Sequence, residues 1–309
     1  MNQYPFQFEK YKGPATRYRC PQCGQQRRFT RYVYTDTQQH VADHVGRCDR
    51  QDSCGYHLRP WDYLRQQGIQ RSTFTVARPS PPPVRVVPEV AAQRQVSYIP
   101  EWMATASFVH FRDNNFVQYL YTLGFERALV NRRILQYRIG TSDRWPGASI
   151  WWQKDKEQRY RTGKVMLYDH RGHRVKQPHS HIAWVHTQLG EEFQLGQCLF
   201  GEHLLQWWDE EAQVAIVESE KTAVIASMYM PQYLWMATGG KDGLTRERIA
   251  VLRGRKAMCY PDHGAYDVWR QRAYALGDII QMSVSTVMEQ EGQSGEDIAD
   301  YLLRVNGRE

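Results

Sequence analysis

Long apolar runs are missing from this 309-residue chain: no segment approaches the ~18 uninterrupted apolar residues that a membrane helix requires. The opening segment, MNQYPFQFEKYKG, lacks the apolar core of a secretory signal, so the expected location is the cytoplasm and no membrane partner is expected. Cysteine is scarce, six in all with four of them between residues 20 and 54, which excludes a disulfide-dense secreted scaffold. Acidic charge is short in the first two thirds. Residues 1–98 carry a net +8, residues 99–206 a net +4, and residues 207–309 a net −5. Basic segments beside an acidic one suit a polyanionic partner such as nucleic acid, although a soluble arginine-rich surface explains the same balance. What is present suffices for a folded protein: 41% hydrophobic and 24% charged residues can build a real core, and the length has room for two or three domains.

The four clustered cysteines are Cys20-x2-Cys23 and, 24 residues on, Cys48-x5-Cys54. Tetrahedral zinc needs four soft ligands delivered as two close pairs, and a β-hairpin between the pairs delivers them. The second spacing is loose, so His44 or His57 could replace one cysteine. This predicts a zinc β-ribbon over residues 1–68 with structural Zn2+. Arg17, Arg19, Arg27, Arg28 and Arg31 interleave with Tyr18, Phe29, Tyr32 and Tyr34, which suits phosphate neutralisation and base stacking. The same pattern also arises if the rings are the ribbon's core and the arginines its solvated face. Cys198 and Cys259 lie alone in apolar surroundings and read as core.

Residues 69–98 hold Pro79, Pro81, Pro82, Pro83 and Pro88 with little apolar periodicity, the composition of a semi-rigid linker. From 99 to 206 the pattern predicts two short helices broken at Gly124, then strands at ASIWWQKD, YRTGKVMLYD and HRVKQPHSHIAWVH. Lys154, Arg159, Arg161, Lys164, Arg171, Arg174 and Lys176 are candidates for a basic groove, or equally a solvated hairpin face. His179, His181 and His186 have a spacing that suits no common metal site, and the paired tryptophans read as core.

Residues 207–309 are organised around QVAIVESEKTAVI. Val214 to Val217 make a short apolar run of the kind that fills a buried parallel strand, Ser219 sits at a helix start, and the helix runs to Met230 before Pro231. RKAMCYPDHGAYDVW repeats the design, ending its strand at Pro261-Asp262, and LWMATGGKDGL supplies a strand with a Gly-Gly turn. Strand ends carrying Glu218 and Asp262 would converge on one rim, where open α/β sheets hold ligands.

This order resembles the toprim domain of primases, topoisomerases and related nucleases. More narrowly, ESEKTA (218–223), ATGGK (237–241), PDHGAYDVW (261–269) and DIADYL (297–302) resemble primase-like toprim proteins with an N-terminal zinc ribbon found on bacterial mobile elements. The resemblance implies an α/β, Rossmann-like toprim fold with a mainly parallel sheet over 207–309, preceded by a primase-core-like α+β region at 99–206. It implies Glu218 and Asp262 as catalytic and metal-holding groups, with Asp267 a further candidate for Mg2+ or Mn2+. Gly264 stands where the wider family has a second aspartate, which removes about one unit of negative charge from such a site. Lys221 and Lys241 could hold phosphate or cap their turns; Asp297 and Asp300 could add carboxylates or stabilise the last helix.

Three readings follow. One is a primase-like nucleotidyltransferase acting on single-stranded DNA or other nucleic acid during mobile-element replication or mobilisation. The second is a non-catalytic nucleic-acid-binding protein with a degenerate metal site. The third, a toprim nuclease, lacks the ATPase P-loop or tyrosine-nucleophile domain that such assemblies bring. With no helicase domain in the sequence, unwinding would need a separate helicase or replication protein.

Overall fold

The structure is a computed structural model that describes residues 5–50, 54, 56–67, 95–190, 192–240 and 242–308. Most of the proline-rich stretch read as a linker, and Lys241, lie outside the described residues. The chain divides into two compact units, residues 1–90 and 91–309.

In the smaller unit, β1 (Phe6–Phe8), β2 (Phe29–Tyr34), β3 (Gly46–Cys48) and β4 (His57–Leu58) form one antiparallel sheet in that order, followed by α1 (Pro60–Gln66). Phe29 packs with Cys20 and Cys48 in one buried cluster, and Phe6, Val33, Val45 and Leu64 are further buried apolar side chains among the described residues of this unit. A centre this small cannot hold a fold without a further staple. Gly46 is required at the β2–β3 crossing, because a side chain there would run into the Thr30 carbonyl and the Phe29 ring.

The larger unit begins with α2 (Glu101–Thr105), α3 (Asn115–Thr122) and α4 (Arg127–Gln136). Asn114 caps α3 by accepting the Val117 N–H at 3.1 Å, and its amide donates to the Gly140 carbonyl at 3.1 Å, which ties helix to sheet. An antiparallel meander follows: β5 (Ile139–Ser142), β6 (Ala148–Lys154), β7 (Tyr160–Met166) and β8 (Ile182–Trp184). Strand alternation sends Trp151 and Trp152 to opposite faces, Trp151 into the main core and Trp152 into a smaller one. The third expected strand is much shorter than its apolar pattern suggests. Residues 170–181 are largely turns and exposed polar side chains, and pairing with β7 covers only Ile182 to Trp184.

Then come β9 (Val214–Val217), α5 (Glu220–Tyr229), β10 (Leu234–Ala237), α6 (Arg246–Ile249), β11 (Lys256–Cys259), α7 (Tyr266–Ala275), β12 (Gln281–Val284), α8 (Val287–Glu291) and α9 (Ile298–Val305). These four strands make an all-parallel sheet in the order β10-β9-β11-β12. All four residues of β9 are buried, as a strand with neighbours on both sides and helices over the faces demands. The chain leaves β9 for β10 on one side and crosses to β11 on the other. The C-terminal ends of β9 and β11 therefore flank the point where strand order reverses, the usual ligand crevice of an open α/β sheet. One core runs through both halves of this unit, taking in Phe116 and Trp151 as well as Val217 and Trp235. Trp207, expected inside, is 63% exposed, at the end of a short 3-10 turn. Among the described residues no helix is long and apolar enough to cross a membrane.

Candidate functional site

The ribbon brings Cys20, Cys23, Cys48 and Cys54 together, with all four sulfurs within 4.8 Å of one another. Cys20 Sγ lies 3.7 Å from Cys54 Sγ, and Cys23 Sγ 4.0 Å from Cys48 Sγ. Four sulfurs about 2.3 Å from a common zinc stand roughly 3.8 Å apart at tetrahedral angles, so this is the spacing zinc requires. A backbone N–H from Gln25 draws the Cys23 thiol down to about 7, while burial pushes Cys48 up to about 12. Packed this closely, the thiols can ionise together only around a cation. His44 and His57 are not in the cluster: His44 packs against the Tyr63 ring, and His57 stacks on Tyr32.

The ribbon's arginines are less free than their sequence suggests. Arg17 pairs loosely with Asp49 at 3.9 Å, and Arg19 donates to the Gly24 carbonyl at 2.9 Å. Arg31 lies 3.8 Å over the Tyr18 ring and binds Asp43 at 3.0 Å. Arg27 and Arg28 are exposed, so they are the pair best placed to meet a phosphate.

In the larger unit, a cleft of about 420 Å³ opens at the strand-order reversal. Glu218, just beyond β9, and Asp262, just beyond β11, line it together with Asp297 and Asp300 from the start of α9. Lys164, Arg174 and Lys176 line the same cleft from the meander. The acidic wall thus comes from the strand ends of the parallel sheet and the start of α9, and the basic wall from β7 and the connection that follows it. Ser219 starts α5 by accepting the Thr222 N–H at 3.2 Å, which leaves Glu218 in the bend between β9 and α5, at the rim. Asp297 caps α9, accepting the Ala299 and Asp300 N–H groups at 2.8 and 3.0 Å, and also accepts the Thr222 hydroxyl. Lys221 pairs with Asp300 at 3.3 Å. Asp267 is not brought to the cleft; it is exposed on α7, beside Arg270 at 3.4 Å. Gly264 lies at φ +85, and its N–H donates to Glu289 Oε1 at 2.9 Å, so α8 holds the turn after β11.

Burial first, then the carboxylates of Glu218, Asp297 and Asp300, push the Asp262 carboxyl up from 3.8 to about 8. Its Oδ1 is buried with no hydrogen-bond partner among the described residues. A divalent cation would satisfy that oxygen and remove the repulsion, so the residues present fit Mg2+ or Mn2+. Among the described residues, only the four cysteines form a tight cluster of three or more ligating groups, and the carboxylates are more widely spaced. That suits a hard ion held by one or two carboxylates and waters. A pH dependence follows. The folded state keeps a proton on Asp262 that the unfolded chain has released, so its contribution is full below about 3.8 and lost as pH rises to about 8. Without added divalent ion, the wild-type melting temperature should therefore drop between about pH 5 and about pH 8.5 by more than that of Asp262→Asn. Equal drops would contradict this placement of the carboxyl.

Lys164 is not the exposed groove residue its sequence suggests. Its ammonium is nearly buried, 3.1 and 3.3 Å from the two Glu220 oxygens and 3.0 Å from the Gly239 carbonyl. It fastens β7 to the first turn of α5 and to the Gly-Gly turn after β10. Lys164→Met should cost about 3–5 kcal/mol by leaving Glu220 buried without its cation, and adding Glu220→Leu should recover most of the loss. Urea melts of the single and double variants check this. A single variant as stable as wild type would remove the pair from the architecture.

A small antiparallel zinc ribbon, a helix-led meander and an open parallel sheet with an acidic switch-point cleft define the class of this protein. A family model described as a zinc beta-ribbon finger matches residues 4–69, and one described as a domain of unknown function (DUF6371) matches residues 114–263. No curated protein matches the chain. Among solved structures the chain is similar to the DnaG catalytic core, at 17% identity over 66% of this chain and 74% of that one, with a TM-score of 0.46. It is also similar to the primase fragment of the bacteriophage T7 primase-helicase, at 13% identity over 72% and 82% of the two chains, TM-score 0.41. The zinc-binding and RNA polymerase domains of Aquifex aeolicus primase match at 11% identity over 98% and 81%, TM-score 0.37. At these TM-scores the likeness is loose.

Proposed function

We propose that this protein is a primase-like toprim protein that binds single-stranded nucleic acid and carries out metal-dependent nucleotidyl transfer in the replication or mobilisation of a mobile element. The observation that carries this reading is the cleft at the strand-order reversal, with carboxylates on one wall and Lys164, Arg174 and Lys176 on the other. Glu218 and Asp262 would hold Mg2+ or Mn2+, which when bound supplies Lewis-acid polarisation of a phosphate oxygen. Arg174 and Lys176, both exposed, would draw the phosphates of the template strand against the acidic wall. Glu218 would take up or return the proton of the attacking hydroxyl. Lys164 would act through Glu220 and Gly239, keeping the rim in place. The ribbon, through Arg27 and Arg28, would add a second, salt-sensitive contact with nucleic acid. A separate helicase or replication protein would open duplex for it.

A second reading, nucleic-acid binding without catalysis, is favoured by one observation: Asp262 tends to hold a proton, and the turn after it carries Gly264 where another carboxylate would strengthen metal binding. Primer synthesis on single-stranded DNA with nucleoside triphosphates and Mg2+ or Mn2+ separates the two. Short primers from wild type and none from Glu218→Gln support the enzyme. Salt-sensitive binding with no product from either protein supports the second reading.

A further inference from the structure

A second cavity, of about 660 Å³, lies against the cleft and shares with it Lys221, His173 and Asp300. None of the chemistry proposed above uses it. Its size is in the range of small-molecule and cofactor sites.

One side of the cavity is built by a turn. Asp169 Oδ1 accepts the N–H groups of Arg171 and His173, each at 2.9 Å, which shapes residues 169–173. Gly172 lies at φ +74 against the Tyr119 ring, where any side chain would collide with that ring. The turn is thereby laid flat on α3, and His170, Arg171 and His173 line the cavity. Lys221 enters from α5, nearly buried, and Arg308 lies 4.2 Å over the Phe125 ring.

The two carboxylates present are already matched. Glu296 accepts from Nε and Nη2 of Arg304, at 2.9 and 3.0 Å, and Asp300 pairs with Lys221. Arg171 and His170 have no ion pair among the described residues. His173 already faces Asp169 at 3.5 Å, but Arg171, Lys221 and Arg308, spread around one concavity lined also by Leu123, Leu303 and Tyr119, suit an extended anion better than a single small one.

We propose that this cavity binds a polyphosphate, either pyrophosphate or the phosphate tail of a nucleoside triphosphate. The site needs no catalysis in the cleft, so pyrophosphate binding and primer synthesis can fail independently.

Isothermal titration of the full chain, without added divalent ion, tests it with pyrophosphate, ATP and AMP. Wild type should bind pyrophosphate and ATP, and bind AMP at least ~10-fold more weakly. Arg171→Ala with His170→Ala should weaken pyrophosphate at least ~10-fold at an unchanged melting temperature, whereas Arg174→Ala with Lys176→Ala, on the cleft wall, should change it less than ~3-fold. ATP tighter than pyrophosphate would identify the nucleotide as the ligand, and equal affinities the bare polyphosphate. The proposal is overturned if wild type binds neither, if AMP binds as tightly as ATP, or if the cleft pair and not the turn pair carries the binding.

Discussion

Replacing Cys20 by serine is expected to cost the protein its ribbon while leaving the larger unit folded. Phe29 packs directly on Cys20 and Cys48, so the metal site is part of the ribbon's core, to which Phe6, Val33, Val45 and Leu64 add only a few more buried side chains. Structural zinc contributes about 10–16 kcal/mol of apparent binding free energy in small fingers, far more than so few apolar contacts can supply. With three sulfurs left, that contribution falls, and the few remaining buried side chains are too small a core to hold the sheet. The larger unit has its own continuous core and should melt as before. Metal analysis and calorimetry check both halves: about one zinc per chain in wild type, little in Cys20→Ser, and an unchanged high-temperature transition. Less than about half an equivalent in wild type, with an unaltered variant, would rule the site out.

Asp262→Asn is expected to remove the divalent-ion response of the cleft and at least ~100-fold of any nucleotidyl transfer, since losing a direct ligand should exceed the usual effect of an outer-shell change. The amide keeps the volume of the carboxyl but neither its charge nor its proton, so the pH dependence assigned to Asp262 should go with it. Gly264→Asp is the converse test. The position is left-handed, φ +85, where a side chain costs about 1 kcal/mol and aspartate is among the better tolerated residues. A Cβ there would meet nothing within 4 Å, and the N–H bond to Glu289 is made by the backbone and survives. Gly264→Asp should therefore fold and tighten Mn2+ binding by calorimetric titration. If neither wild type nor Gly264→Asp binds a divalent ion, the non-catalytic reading stands.

Much of the local structure was legible in the sequence, because it depends on neighbours in the chain. The spacing of the four cysteines determines two metal-ligand pairs joined by a hairpin. Val214 to Val217 determine a strand buried on both faces, and Ser219 determines where α5 starts by offering its hydroxyl to Thr222. Period-two alternation likewise sends Trp151 and Trp152 to opposite faces of β6. What the tertiary structure decided is which charged groups meet. Lys164 and Glu220 are 56 residues apart, and by itself Lys164 reads as a groove lysine; folding buries both by giving each the other. Asp297 and Asp300 became cleft residues because α9 packs beside α5, and Asp267 did not because its turn of α7 points to solvent. Glu289 holds the Gly264 turn from 25 residues away, with no local pattern to announce it. A strand or a cap is set by a few adjacent side chains acting on their own backbone. The burial of a charge is set by its partner, and the partner is chosen only when the sheets come together.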